Sequence, residues 1–190
     1  MYILQQPSVL LALLLSTIGL SSTSAFADTL DFTTFSQGAQ GSPVMTLPQA
    51  TITSFGTDIY VGAAGLASEI CALGSFGCQA DMQIDFTASV NDLTFDLSGY
   101  DSGDHIDVSI FSGATLLGTS AYETNGFVDL SGYLNVTRLY FDDSSTGAGF
   151  AYDNFQFTTT STTAVPEPET YAMFLAGLGL LGFSSRRKQA

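Results

Sequence analysis

The sequence predicts an all-β fold, a jelly-roll-like β-sandwich of two sheets packed face to face, set between an apolar leader and an apolar tail. Three observations carry that expectation. Residues 28–160 show no sustained 3.6-residue apolar period and few strong helix formers. They carry instead about nine or ten short runs in which apolar and polar residues alternate, or β-branched and aromatic residues cluster. Small polar residues followed by Gly punctuate the runs, at Ser98-Gly99, Ser102-Gly103, Ser112-Gly113, Asn125-Gly126, Ser131-Gly132 and Thr146-Gly147. No repeat of fixed period is visible, which argues against a propeller or solenoid.

The leader comes first. "SVLLALLLSTIGLSSTSAFA" holds an apolar core over residues 9–20, then small polar residues, then Ala25-Phe26-Ala27. Small residues at −1 and −3 fit a signal peptidase, so residues 1–27 read as a signal peptide cut after Ala27. No Lys or Arg precedes the apolar core, which departs from the usual pattern. A dozen apolar residues is short for a span of about 20, which disfavours a retained anchor.

The predicted ectodomain, residues 28–160, comes next. "MQIDFTASV" places Met82, Ile84, Phe86 and Ala88 on one face. "LTFDL" does the same with Leu93, Phe95 and Leu97, while Thr94 and Asp96 face away. "HIDVSI" alternates Ile106, Val108 and Ile110 with polar residues. Further strand candidates are "TLDF", "ATITSF", "DIYVG", "ATLLGTS", "GFVDL", "VTRLYF" and "FAYDNFQF". "GLASEICALGSFGCQ" reads as a loop or a short helix. Its two cysteines, Cys71 and Cys78, are the only two in the chain and close a short Gly-containing loop, which suits a disulfide in an exported protein. No His or further Cys lies nearby to complete a metal site.

Charge narrows the partners. Of 18 acidic residues, 16 fall in 28–165, where Arg138 is the only base. Such a surface repels nucleic acid and anionic lipid and attracts cations. In "AYDNFQF" the parity of the run sets Asp153 on the side of Phe155 and Phe157, and an unpaired inward carboxylate costs several kcal/mol. Structural Ca²⁺ is one solution, with Asp142 and Asp143, or Asp28 and Asp31, as companion ligands to Asp153. Capping of a turn by Asp153 is the other. "DSGD", residues 101–104, lacks the register of an EF-hand loop and reads as a plain turn. No cofactor is required by any of these patterns.

Signals for catalysis are weak. His105 is the only histidine, and no Gly-x-Ser-x-Gly elbow marks a nucleophile. Paired carboxylates could serve a glycosidase, but a region this acidic always contains such pairs. The expected protein is therefore not an enzyme. Tyr100, Tyr122 and Tyr133, with Tyr60, lie in or next to expected loops, where rings could stack on a pyranose. They could equally pack the core, and Trp is absent. "NVT", residues 135–137, matches a glycosylation sequon within an expected strand.

The tail closes the chain. "STTAVPEPET" reads as an extended linker, with residues 161–169 separating the ectodomain from the apolar stretch beyond. Residues 170–185 are uncharged and mostly apolar, about 24 Å of helix against a hydrocarbon core of roughly 30 Å. Pro166 and Pro168 stop a helix on one side. Arg186, Arg187 and Lys188, within the basic tail 186–190, would stay cytoplasmic on the other. This three-part arrangement of Pro166-Glu167-Pro168, apolar span and basic cluster resembles the PEP-CTERM sorting domain. The resemblance covers about 26 residues. It implies recognition by an exosortase, a membrane cysteine transpeptidase of Gram-negative bacteria that make extracellular polysaccharide. The chain would pass through the inner membrane, be cut near Pro-Glu-Pro, and move to the cell surface or biofilm matrix. Its processing partners would be signal peptidase and exosortase, with extracellular polysaccharide as a neighbour and no nucleic acid. Residues 90–120 together with "AYDNFQF" also resemble galactose-binding-like jelly rolls, which implies a carbohydrate ligand without identifying one.

Overall fold

Alternation turns into strand pairing almost wherever it occurs. The structure, a computed structural model, describes residues 24–62, 68–161 and Leu175. Most of the expected signal peptide, the Pro-Glu-Pro motif, the apolar span (Leu175 apart) and the basic tail lie outside the described residues. Among the described residues twelve strands run in order: β1 (Ser24–Thr29), β2 (Gly38–Ala39), β3 (Val44–Thr46), β4 (Ala50–Ser54), β5 (Asp58–Val61), β6 (Ile70–Leu73), β7 (Met82–Ser98), β8 (Ile106–Ser112), β9 (Thr115–Tyr122), β10 (Gly126–Asp129), β11 (Val136–Asp143) and β12 (Ala151–Ser161). All pairings between these strands are antiparallel.

β7 organises the fold. "MQIDFTASV" and "LTFDL" are one strand of 17 residues, not two. Its first half pairs with β4 and β11, and its second half with β10 and β12. Between them Asp92 adopts φ +52° and the register with β11 slips, so the strand bends from one layer into the other. One layer is β3-β4-β7-β11-β8-β9, and the other is β10-β7-β12-β6-β5-β2, with β1 on the far half of β12. The sandwich is thus a single hydrogen-bonded sheet folded over itself rather than two separate sheets.

The core lies between the layers and is aromatic. Phe141 of β11 meets Tyr152 of β12 at 4.5 Å between ring centroids and Phe95 of β7 at 5.7 Å. Phe95 stacks on Phe155 at 5.1 Å, and Phe32 closes edge-on at 6.3 Å. Phe86 meets Phe157 at 5.2 Å. All seven rings are buried, each contributing about 1.5–3 kcal/mol by removal from water.

Other expectations shift in detail. "TLDF" contributes only Thr29 to a strand, because β1 begins earlier, at Ser24. Cleavage after Ala27 would leave Asp28 and Thr29 of its six paired residues. The segment read as a loop or short helix contains β6, whose Ile70, Cys71 and Ala72 are buried. Cys71 and Cys78 form the expected disulfide, with Cα atoms 5.3 Å apart. The loop they close docks on the start of β12 through a bridge between Cys78 and Gly149. Gly149 sits at φ +76°, and a Cβ there would collide with the Cys78 carbonyl, so only glycine permits that approach.

Candidate functional site

Residues of polar parity on adjacent strands must line the outer face of a half-buried sheet. Registers fix which ones meet. On the β10-β7-β12-β1 portion, one row runs Asp129, Thr94, Gln156, Thr29, and the next runs Phe127, Asp96, Asp153. Two adjoining cavities open on this face, of about 510 Å³ and 380 Å³, and share Thr29. The first is lined by Phe127, Thr94, Gln156 and Asp92 among others. Asp31, Asp96, Asp153 and Asn154 line the second. Phe127 is 64% exposed and presents its ring on this face, while the other exposed phenylalanines among the described residues, Phe55 and Phe76, line neither cavity.

The polar groups are tied together. Asn154 Nδ2 donates to Asp96 Oδ2 at 3.0 Å, and Gln156 Nε2 donates to Asn154 Oδ1 at 2.8 Å. Thr158 Oγ1 donates to Asp92 Oδ2 at 2.8 Å. Each amide and carboxylate keeps further lone pairs or N–H groups free, so the row can donate and accept at neighbouring positions. Arg138, the only Arg or Lys among the described residues, lies elsewhere, held by Asp85 at 2.6 Å on the other layer. The groove is therefore acidic without a counter-charge.

Asp153 does not point inward. Asn154 adopts φ +54°, and the β12 register slips between Asp153 and Gln156. This bulge breaks the two-residue period, so Tyr152, Phe155 and Phe157 fill the core while Asp153 turns to the groove rim. There Oδ2 accepts from Ser68 Oγ at 2.6 Å and Oδ1 from the Asn154 N–H at 2.6 Å. The buried, unpaired carboxylate that motivated a calcium ion is replaced by a hydrogen-bonded one.

The other carboxylates named with it scatter. Asp31 shares the second cavity, but its Oδ1 accepts from both the hydroxyl and the N–H of Thr33, which hold its carboxyl below the usual range. Asp28 lines the first cavity, accepting from Gln49 at 3.1 Å. Asp142 and Asp143 lie on opposite faces of β11, the first exposed and the second buried. Asp143 accepts from the Ser145 N–H at 2.9 Å, and burial pushes its carboxyl above the ordinary value. Asp104, 2% exposed, clamps the same end by accepting from the N–H groups of Asp101, Gly147 and Gly149. Asp81 accepts from Tyr140, whose phenol is raised to about 12 by that carboxylate. Among the described residues no three His, Cys, Asp or Glu side chains converge as a metal site. These acids hold loops together.

The tyrosines read from the sequence are not in the groove. Tyr122 and Tyr133 are half-buried against the core. The Tyr133 ring lies over Gly118 so closely that a Cβ there would sit 2.5 Å from its hydroxyl oxygen. Tyr100 tilts against Phe150 at 6.1 Å, and Tyr60 packs beside the disulfide. His105 has Nδ1 3.1 Å from Glu123 and Nε2 3.5 Å from Asp107, and the Glu123 hydrogen bond chiefly raises its pKa. Its ring is thus engaged by carboxylates and not by a serine. Phe127, Asp96, Thr94 and Gln156 replace the tyrosines as the exposed constellation. Their signal is present in the alternation, as the residues facing away from Val128, Phe95 and Phe155. Which strands adjoin is not.

Comparison with known proteins gives one family match. The PEP-CTERM protein-sorting motif matches residues 164–188, so the chain carries that motif. No curated protein matches it. Among solved structures, a mutant of a carbohydrate binding module family 29 is similar at 12% identity and TM-score 0.34, covering 76% of this chain and 99% of that one. A second structure, described as carbohydrate binding module family 29, is similar at 14% identity and TM-score 0.33, covering 77% and 97%. At that looseness the likeness carries no argument about a ligand of this chain.

Proposed function

We propose that this chain, as a carrier of the PEP-CTERM sorting motif, is an exported, exosortase-processed, non-enzymatic protein of the bacterial cell surface or extracellular matrix. The observation that carries the reading is the motif itself, at residues 164–188 on the C-terminal side of a folded β body. In that role Pro166, Glu167 and Pro168 are read by another enzyme. The apolar span holds the chain in the inner membrane until cleavage, and Arg186, Arg187 and Lys188 fix its orientation. The absence of an enzymatic role is supported by the lone histidine, whose ring faces two carboxylates and no nucleophile. Mass spectrometry of protein recovered from the surface of an exosortase-bearing host tests the reading. A C-terminus near the Pro-Glu-Pro motif is expected, and surface protein still ending at Ala190 would refute it.

The outer-face groove favours a second, compatible reading, a glycan-binding module. Hydroxyl-rich ligands are recognised by paired amide and carboxylate groups beside an exposed ring, and the groove offers both. Retention of the protein on a glycan panel tests it, and no binding to any glycan would remove it.

A further inference from the structure

We propose that the groove takes an uncharged polysaccharide strand, laid across β10, β7, β12 and β1 with one sugar ring stacked on Phe127. The proposal rests on the glycan-binding reading and adds its site and ligand class.

Three features select that occupant. Phe127 presents a ring to solvent beside Asp96, its partner across the β10–β7 pairing. An aliphatic or acidic peptide would leave that ring or the neighbouring polar row unmatched, whereas a pyranose offers an apolar C–H face and a rim of hydroxyls together. The Asp96–Asn154–Gln156 chain then supplies acceptors and donors in alternation, the pattern that vicinal hydroxyls answer. Its amides are preset by their mutual hydrogen bonds, so little side-chain freedom is lost on binding.

Charge removes the anionic polymers. Asp28, Asp31, Asp92, Asp96 and Asp153 line the two cavities, and among the described residues no Lys, Arg or His lines either. A uronate or sulfated polymer would bring like charge onto this face without a cation to meet it. An amino-sugar polymer would be drawn by charge as well as by ring stacking, and salt would weaken the charge contribution. Length fits a strand rather than a single sugar, since four strands span about 14 Å at about 4.8 Å per gap.

Isothermal titration of the full chain, kept in mild detergent, would compare neutral hexose oligosaccharides (glucan, mannan and galactan), glucosamine oligomers and oligouronates. At least one neutral oligosaccharide is expected to bind with an affinity indifferent to salt. Phe127→Ala and, separately, Gln156→Ala should each weaken it about tenfold with thermal stability unchanged. Both side chains are exposed, so the two variants together guard against a folding artefact. Neutral binding that survives both substitutions would overturn the site. Binding confined to glucosamine or uronate oligomers would overturn the ligand class and leave the glycan-binding reading standing. Silence toward all three classes would overturn both.

Discussion

Replacing Phe155 with Ala should cost far more than replacing Phe127 with Ala, although the chemistry deleted is the same. Phe155 is fully buried, stacked on Phe95 at 5.1 Å and met edge-on by Phe32 at 6.3 Å. Its loss removes the transfer free energy of a ring and leaves a cavity between two layers that β7 and β12 hold apart. Such deletions cost about 3–5 kcal/mol, including the two aromatic contacts. Phe127 projects from the opposite side of the same layer and is 64% exposed, so its removal should stay within about 0.5 kcal/mol. A body of this size loses roughly 3–4 °C of Tm per kcal/mol, which puts Phe155→Ala roughly 9–20 °C below wild type. Urea titration with unchanged m-values would give the free energies directly. The folded state should survive, since domains of this size have a net stability of about 5–15 kcal/mol. A Phe155→Ala cost under about 1.5 kcal/mol, or a Phe127→Ala cost equal to it, would refute the assignment of inner and outer faces.

Particular residues set three further outcomes. Cys71→Ser with Cys78→Ser should lower stability by about 2.5 kcal/mol from loop entropy alone, the separation being 7 residues, and a Tm unchanged by reducing agent would contradict this. Asn154→Gly should be nearly neutral by denaturation, whereas Asn154→Val should cost about 1–2 kcal/mol, because φ is +54° there; equal costs would remove the bulge from the explanation. Stability should rise on acidification from pH 7 toward 5 and then fall below about pH 4. His105, raised chiefly by its Glu123 hydrogen bond, contributes fully below its unfolded value of 6.5 and loses that contribution as pH rises through the folded value. Asp143, raised by burial, favours its protonated form in the fold, so its penalty is relieved as pH falls toward 3.8. Asp31 and Asp129, lowered by Thr33 and Ser131 hydrogen bonds, act oppositely, and their contribution vanishes as pH falls through their folded values. Urea midpoints that decline steadily from pH 7 to 5 would contradict the sign of the first two.

Legibility in the sequence tracks the range of the physics. Alternation at Ile106, Val108 and Ile110 places β8, since a period of two is written in neighbours. The Cys71–Cys78 disulfide is legible for the same reason: two thiols, a short loop, an exported chain. β6 is hidden because three residues buried in a row, Ile70, Cys71 and Ala72, show no alternation. The union of "MQIDFTASV" with "LTFDL" is hidden because the alternation breaks across Asn91-Asp92, although a left-handed Asp92 can bend a strand without ending it. The groove fails on another count: Thr94, Asp96, Phe127 and Gln156 are each assignable to an outward face, but strand order is not.

By itself the sequence determined an all-β acidic body, a disulfide and a C-terminal sorting motif, since each depends on composition or on residues close along the chain. Only the tertiary structure decided that Asp153 leaves the core and that Phe127 joins a polar groove. A single bulge at Asn154 changes which side Tyr152 and Asp153 face relative to the rest of β12. Pairing between β7, β10, β12 and β1 joins positions as remote along the chain as Ser24 and Ser161. Those choices are made by packing of the seven core rings, which no local pattern records.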